Sequence, residues 1–111
     1  MSHQIRQATW TLERGQSVSS DEARLVMQTD GNLVVYDELD FPRWGSDTVD
    51  EGWRATFQDD GNLVVYARSN KAVWGSGTEG HPGSQLWIQD DGNVVIYDQL
   101  FTPIWATNTA H

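Results

Sequence analysis

The sequence has no cysteine among its 111 residues and only seven lysines and arginines against sixteen acidic residues. Without cysteine, disulfides, thiolate metal sites and cysteine nucleophiles are excluded. The net charge of -9 disfavours nucleic acid and anionic membrane surfaces as partners, because both would repel the chain. No apolar run approaches the roughly 18 residues of a membrane-spanning helix, so membrane insertion is not expected. A neutral or cationic partner is favoured.

The length suits one small domain with one hydrophobic core, and we expect a single domain over residues 1–111. The first residues do not show the basic segment followed by an apolar segment that is typical of a signal peptide. We therefore expect a cytoplasmic location, or release without a visible signal. Six tryptophans are a heavy aromatic load for so polar a chain.

The chain contains three copies of one motif. Gln-x-Asp-Gly-Asn-x-Val-x-Tyr begins at Gln28, Gln58 and Gln89, so the copies are 30 and 31 residues apart. A tryptophan follows each of these glutamines after sixteen residues and opens a tail with the pattern Trp-x-Ser/Thr-x-Thr. The copies define units of about 18–48, 49–78 and 79–109, preceded by an N-terminal extension over 1–17.

Each unit is predicted to fold as β-strands, because its apolar residues lie in short runs around an Asp-Gly-Asn turn and show no helical spacing. Alternate side chains of a strand point to the same face of the sheet, so positions along a strand have one of two parities. The positions of one parity are apolar in every unit and are expected to form the core. They are Leu25, Met27, Leu33, Val35, Ala55, Phe57, Leu63, Val65, Leu86, Ile88, Val94 and Ile96. A turn with an odd number of residues would keep the other parity of both strands on one outward face.

The outward residues of each motif suit the recognition of a sugar. Gln, Asn, Asp and Tyr offer hydrogen-bond donors and acceptors for hydroxyl groups, and the central Val suits a patch of C–H groups. A turn alone would explain Asp, Gly and Asn, but not the Gln and Tyr that accompany them in all three copies. The candidate binding residues are Gln28, Asp30, Asn32, Val34, Tyr36, Gln58, Asp60, Asn62, Val64, Tyr66, Gln89, Asp91, Asn93, Val95 and Tyr97.

The same residues do not suit catalysis or metal binding. A glycosidase needs two carboxylates at a defined separation, and each motif places one on the outward face. His3, His81 and His111 lie near the termini or in a Gly-Pro loop, so no Ser-His-Asp set is credible. The ligand spacing of a calcium loop is missing. We expect no enzymatic activity, no cofactor and no metal.

The repeated motif and its tail resemble the monocot mannose-binding lectins, the bulb-type or snowdrop-like family, over residues 18–109. This resemblance implies an all-β fold, the β-prism II, with three four-stranded antiparallel sheets around a pseudo-threefold axis. It also implies one metal-free mannose site on each sheet. By motif position, Asp and Asn would hold the axial 2-hydroxyl of mannose, Gln the 3-hydroxyl and Tyr the 4-hydroxyl, while Val would pack on the C3–C4 edge.

The chain departs from the resemblance in lacking a disulfide, so it is interpreted as a cysteine-free member. Aligned by motif, the two bridging positions are Gly31 and Trp53, and Trp53, on the core parity, is expected to offset the lost cross-link by packing. In the family the C-terminal strand is often exchanged between two chains. Residues 98–109 are too apolar to remain unpacked, so they are expected to lie on the chain's own first sheet or on a partner's, in a homodimer.

The tryptophans divide by position. Trp44, Trp74 and Trp105 occupy the same place in each unit and are predicted to meet at a common axis. Trp87 lies on the site parity, where it could stack on a second saccharide or simply pack at an edge. The sequence gives no prediction for Trp10.

The function favoured by the residues and the resemblance is a lectin for mannose and mannose-rich glycans. A lectin-like bacteriocin or toxin that uses sugar contact for targeting remains an alternative. A structural or protein-binding module with decayed sugar sites is a third interpretation, although three intact motifs argue against it. A β-trefoil, which also has three units, is the alternative fold.

Overall fold

Each repeated unit folds into three consecutive antiparallel strands. The structure is a computed structural model that describes residues 3–111. The first unit contains β4 (Arg24–Met27), β5 (Leu33–Tyr36) and β6 (Pro42–Gly45). The second contains β7 (Arg54–Phe57), β8 (Leu63–Tyr66) and β9 (Ala72–Gly75), and the third contains β10 (Gln85–Ile88), β11 (Val94–Tyr97) and β12 (Pro103–Ala106). Residues 3–111 contain no helix, as predicted, and thus none that could cross a membrane.

The N-terminal segment supplies the fourth strand of every sheet. Its strands are β1 (Gln4–Gln7), β2 (Trp10–Leu12) and β3 (Ser17–Ser19). The sheet orders are β3-β4-β5-β6, β2-β7-β8-β9 and β1-β10-β11-β12, and every recorded pairing is antiparallel. The three four-stranded sheets predicted from the resemblance are therefore present. The sequence predicted no strands within the N-terminal extension, although residues 4–7 and 10–12 complete two of the sheets and residues 17–19 complete the third.

The core lies between the inner faces of the three sheets. All twelve residues predicted for it are buried, none with more than 1% of its surface exposed. The three equivalent tryptophans meet as predicted, with ring centroids 5.2 to 5.7 Å apart and planes inclined by 66 to 80°. Edge-to-face packing of this kind is the favourable geometry for aromatic rings. The indoles thus join the three sheets to one another.

The Asp-Gly-Asn turns have the odd length that the parity argument requires. In the first unit Met27 pairs with Leu33 across a five-residue loop, which Gln28 N–H closes by donating to Asn32 C=O at 2.9 Å. The loop glycine has φ +96°, a left-handed conformation that side chains other than glycine rarely adopt. The second and third units repeat this loop, with φ values of 91° and 92°. Both arms of each hairpin consequently keep their outward residues on one face.

The C-terminal strand β12 is paired with β11 of the same chain. Residues 103–106 therefore complete the sheet of the third unit, and the expectation that they lie on the first unit's sheet was wrong. The pairing is local because a short hairpin connects β11 to β12. A bulge interrupts the register beside Tyr97, as it does beside Tyr36 and Tyr66. Bulges of this kind turn the side chain at the strand end, and here they recur where each motif ends.

Candidate carbohydrate-binding sites

A hydrogen-bonded Gln–Tyr pair closes one side of each candidate site. In the third unit Tyr97 Oη donates to Gln89 Oε1 at 2.8 Å, and the same pair is bonded in the other two units. The glutamine lies in the turn after one strand, and the tyrosine ends the next strand opposite Gln85, so the two long side chains meet by reaching toward each other along the strands. The Gln89 amide nitrogen lies 3.4 Å from both carboxylate oxygens of Asp91. Three predicted side chains of one motif thus form a continuous polar chain.

The aspartate of each motif has both a turn role and an open side. Asp30 Oδ1 accepts a hydrogen bond from Asn32 N–H at 3.0 Å, and the corresponding distances are 3.0 Å at Asp60 and 2.9 Å at Asp91. All three aspartates are exposed. The carboxylate therefore holds the turn with one oxygen while its surface faces solvent. Turn formation and ligand binding are compatible at this residue.

The asparagine of each motif is oriented by the tail that follows the tryptophan. Asn62 Oδ1 accepts hydrogen bonds from Ser76 Oγ at 2.9 Å and from Thr78 N–H at 3.3 Å. The equivalent bonds at Asn32 and Asn93 are 3.1 to 3.2 Å long. Because the carbonyl end is occupied by the protein, the NH2 end of each amide is directed away from the turn.

The tail also fixes the turn backbone. Thr78 Oγ1 donates to the Gly61 carbonyl at 2.6 Å and shares a 2.7 Å hydrogen bond with Ser76 Oγ. The equivalent hydroxyls of the other units bond to their turn glycines at 2.7 Å. The tail was visible in the sequence, but no role was predicted for it. The signal was present in the two hydroxyl residues that recur at fixed spacing in all three copies.

The valine of each motif lies on the outward parity but is almost covered. Val34, Val64 and Val95 keep only 4%, 4% and 3% of their surface exposed. Val34, for example, has cross-strand neighbours on both sides, Val26 and Gly45. The prediction of the facing was right, but a residue in the middle of a four-stranded face is shielded by the strands beside it. Valine can therefore offer a ligand only a narrow apolar edge.

In the second unit these residues line a hollow of about 430 Å³ over β8 and β9. Gln58, Asn62, Val64 and Tyr66 form one wall, and residues 72–75 form the other. Four of the five predicted residues of this motif therefore meet around one cavity. The fifth, Asp60, lines an adjoining hollow that also contacts Gln58 and Tyr66.

The position of the missing disulfide is filled differently from the prediction. Gly31 packs directly on Gly52, where an added Cβ would lie 2.1 Å from the Gly31 carbonyl oxygen. Trp53 is half-buried rather than part of the core, and its ring is approached by the guanidinium carbons of Arg14 at 4.3 Å and Arg68 at 5.1 Å. Two turns in backbone contact leave no room for an indole between them, so Trp53 packs under arginines at the surface.

The two remaining tryptophans have distinct surroundings. Trp87 lies on the site face, with ring centroids 5.5 Å from Tyr97 and 6.5 Å from Phe101, and its Nε1–H donates to Gln85 Oε1 at 3.1 Å. It thus packs at the edge of the third site. Trp10, which the sequence left unplaced, is partly buried against the core.

The chain is similar over nearly its full length to solved structures of lectins. One from Gastrodia elata, described as a monomeric monocot mannose-binding lectin, is 35% identical with a TM-score of 0.86, and 100% of each chain is covered. The mannose-specific agglutinin from snowdrop (Galanthus nivalis) bulbs, complexed with methyl-α-D-mannoside, is 37% identical with a TM-score of 0.75, covering 100% of this chain and 99% of that one. Polygonatum cyrtonema lectin, complexed with monomannoside, is 36% identical with a TM-score of 0.76, covering 97% and 96%.

No protein-family model matches the chain, and no curated protein is significantly similar to it. The solved structures are sufficient to assign the family, because their sequence identity to this chain exceeds 30% over almost all of both chains. Their β-prism II fold is the arrangement of three four-stranded sheets described above. The chain therefore belongs to the monocot mannose-binding lectin family.

Proposed function

We propose that this protein is a non-catalytic lectin that binds terminal α-mannose through three sites without a metal ion. The observation that carries the proposal is the recurrence, on all three sheets, of one polar cluster built from Gln, Asp, Asn and Tyr. Hydroxyl groups of a sugar both donate and accept hydrogen bonds, and this cluster offers both functions. The mannosides bound to the snowdrop and Polygonatum proteins support the choice of sugar.

Each polar group has a distinct part in the proposed contact. The oriented Asn NH2 donates to the axial 2-hydroxyl while the Asp carboxylate accepts from it. Gln serves the 3-hydroxyl, Tyr serves the 4-hydroxyl, and the edge of Val touches the C3–C4 side of the ring. Galactose, with its axial hydroxyl at the 4-position, would meet the tyrosine instead, so it is expected to bind poorly.

The donor set supports binding without catalysis or metal. Each cluster has one outward carboxylate where glycoside hydrolysis needs two. Among residues 3–111, one group of His, Asp and Glu side chains has ligand atoms within 4.8 Å of one another, namely Glu22, Glu38 and His111. It contains none of the fifteen candidate residues, so chelation is expected to leave sugar binding intact.

Calorimetric titration with methyl α-mannoside, with and without EDTA, tests the proposal. A shallow site that buries one sugar is expected to bind in the high-micromolar to millimolar range, about -4 to -6 kcal/mol. Tyr66→Phe removes one hydroxyl and is expected to weaken one site of three by about 1 kcal/mol. Methyl α-galactoside is the control ligand. Binding that depends on a cation, or that survives unchanged when all three tyrosines are replaced by phenylalanine, would contradict the proposal.

A surface of mannan tests the number of sites. Linked sites raise affinity by roughly 10² to 10⁴ when they engage one branched glycan. Tyr66→Phe should therefore reduce binding to mannan by more than the one third expected for independent sites. If the loss is one third or less, the three clusters do not act together.

The homodimer stays a prediction. Its support is the exposed apolar surface of the hairpin tips, where Leu39, Phe41, Leu100 and Phe101 are each 61 to 80% exposed. Exchange of the C-terminal strand would require β12 to leave β11 of its own chain and take the same place in a second chain. Analytical ultracentrifugation at tens of micromolar decides the matter, since a strict monomer excludes the exchange.

A further inference from the structure

A histidine and two glutamates meet at the corner of the molecule where the first and third units join. His111 Nε2 lies 2.8 Å from Glu38 Oε1, and the ligand atoms of Glu22, Glu38 and His111 all lie within 4.8 Å of one another. None of the three is a candidate sugar-binding residue. The prediction of no metal was made from the repeated motifs, and it could not include this cluster, whose members lie 16 and 73 positions apart along the chain.

The imidazole of His111 is oriented so that Nε2 faces the glutamates. Its Nδ1 lies 2.9 Å from the carbonyl oxygen of Thr109. A carbonyl only accepts hydrogen bonds, so Nδ1 carries the hydrogen. The backbone is anchored as well, because the His111 N–H donates to the Asp91 carbonyl at 2.7 Å. Histidines that bind metals usually donate one ring N–H in this way, which leaves the other nitrogen for the ion.

Both glutamates are attached to turns that the protein's own hydrogen bonds hold in place. Glu38 follows Asp37, whose buried carboxylate accepts two backbone N–H groups of the same turn at 2.9 Å. Glu22 belongs to the turn of Ser20, whose hydroxyl donates to the Gln89 carbonyl of the third unit at 2.7 Å. The corner is therefore assembled before any ligand binds, as a preorganised site requires.

The cluster has more negative charge than its surroundings neutralise. Within residues 3–111 the Glu22 carboxylate has no hydrogen-bond or ion-pair partner, although the residue is only partly exposed. Arg43, whose charge reaches His111, is itself paired with Asp37 at 2.8 Å. Two carboxylates thus face a single imidazole, and a divalent cation between the three side chains would satisfy both.

The corner between the second and third units repeats the histidine without the carboxylates. His81 is the counterpart of His111, because its N–H also donates to the carbonyl of the motif aspartate before it, at 2.9 Å. The two glutamates stand six residues before and ten residues after the motif glutamine of the first unit, and the third unit has Gly83 and Gln99 there. The two positions adjoin here too, since a Cβ added to Gly83 would lie 3.1 Å from Gln99 Oε1.

The corner between the first and second units has a cation in place of a carboxylate. The equivalent positions are Asp50, Gly52 and Arg68, which line one cavity. A guanidinium there would repel a metal ion. Among residues 3–111, the corner of Glu22, Glu38 and His111 is thus the one that combines an imidazole with two carboxylates in ligand range.

We propose that Glu22, Glu38 and His111 form a zinc site that joins the first unit to the third. Zinc binds histidine nitrogen and carboxylate oxygen at about 2.0–2.2 Å, and a site with three protein ligands keeps a fourth position for water. Ligands at that distance in a tetrahedron lie about 3.4 Å apart, so the 2.8 Å pair would open by about half an ångström. The Glu38 side chain, 38% exposed, is free to make that adjustment.

The donor set favours zinc over the common hard cations. Calcium and magnesium take oxygen ligands, whereas an imidazole nitrogen suits zinc. The zinc site is separate from the proposed sugar sites, which need no metal.

Calorimetric titration of zinc chloride into EDTA-treated and desalted protein tests this assignment. One ion is expected to bind per chain, and calcium and magnesium chloride should bind far more weakly. Zinc at 100 times its Kd should raise the Tm by about 10 °C, because it binds the folded protein. In ¹⁵N NMR spectra of the imidazole rings, zinc should move the Nε2 resonance of His111 and leave that of His81 unchanged.

Single substitutions identify the ligands. Glu22→Gln and Glu38→Gln keep the size of the side chain and remove one carboxylate, and His111→Ala removes the nitrogen ligand. Loss of an outer-shell partner alone costs about 10- to 100-fold in metal affinity, so loss of a ligand should cost at least about 10-fold. His81→Ala is the matched control and should bind zinc as the wild type does. The Tm of each variant in EDTA provides its own metal-free reference.

Three results would overturn the zinc site. The first is an absence of saturable zinc binding to the wild-type protein. The second is binding of calcium or magnesium as tight as that of zinc, which would indicate only a diffuse acidic surface. The third is a zinc affinity that Glu22→Gln leaves unchanged, because the ion would then lie elsewhere.

Discussion

The buried hydroxyl of Thr78 is expected to stabilise both the fold and the second site. Its side chain, 4% exposed, donates to the Gly61 carbonyl at 2.6 Å and is bonded to Ser76 Oγ at 2.7 Å. Thr78→Val keeps the shape of the side chain but removes both hydrogen bonds. It also leaves the carbonyl of a buried glycine without its side-chain partner.

The expected loss of stability in Thr78→Val follows from the two lost hydrogen bonds and the carbonyl left without its partner. A hydrogen bond contributes about 1 kcal/mol net, and a buried group left unsatisfied costs about 1–3 kcal/mol. We therefore expect Thr78→Val to lower the free energy of unfolding by about 2–3 kcal/mol. For a domain of this size that corresponds to a Tm lower by about 8–12 °C. Mannoside affinity should fall at the second site, because Asn62 loses part of the framework that orients its amide.

Thr78→Ser is the matched control, since it keeps the hydroxyl and loses only a methyl group. Chemical denaturation of both variants, with Tm from calorimetry, provides the measurement. Equal stability of the two variants would refute the role assigned to the hydroxyl. The same pair of substitutions at Thr48 and Thr109 should give similar differences, because the contacts recur in all three units.

Three further predictions concern stability. Trp74→Ala should cost about 2–4 kcal/mol in chemical denaturation, because it opens a cavity among the three packed indoles; a cost below 1 kcal/mol would mean that the indoles do not join the sheets. Gly52→Ala should cost about 1–3 kcal/mol, because its Cβ would lie 2.1 Å from a backbone oxygen of the facing turn. The hydrogen bond to the Thr109 carbonyl, followed by that to Glu38, raises the pKa of His111 above 6.5, and a backbone hydrogen bond and then the bond to His111 lower the pKa of Glu38 below 4.5. The contribution of His111 to the free energy of unfolding is complete below pH 6.5 and is lost as pH rises through the raised pKa. The contribution of Glu38 is complete above pH 4.5 and is lost as pH falls through the lowered pKa. The stability difference between wild type and His111→Ala should therefore be greatest between pH 4.5 and 6.5, and a difference that does not vary with pH would contradict this pairing.

Repetition made much of the fold predictable from the sequence. Three copies of one pattern identified the parity of the core, and with a turn of odd length they also identified the outward face. A position such as Val35 or Tyr36 could be assigned to a face because its equivalents in two other units behaved alike. The twelve core residues and the three meeting indoles follow from that comparison.

Several features that could not be predicted depend on contacts that the repeated pattern does not encode. Strands β1 and β2 have four and three residues, too few for a periodic pattern. The surface position of Trp53 depends on the contact between Gly31 and Gly52, which joins residues far apart in sequence. Parity alone also missed the covering of Val34, because exposure depends on the strands on either side of a residue as well as on the face it occupies.

The completion of every sheet by the N-terminal segment has a consequence for folding during synthesis. Ser17 pairs with Val26, Trp10 with Phe57, and Gln4 with Ile88, so the three closures span progressively longer stretches of chain. On the ribosome the sheet of β3 can close first, then that of β2, and that of β1 only when β10 has emerged. Because long-range closures slow folding, we expect β1, whose partner β10 lies farthest along the chain, to pair after β2 and β3.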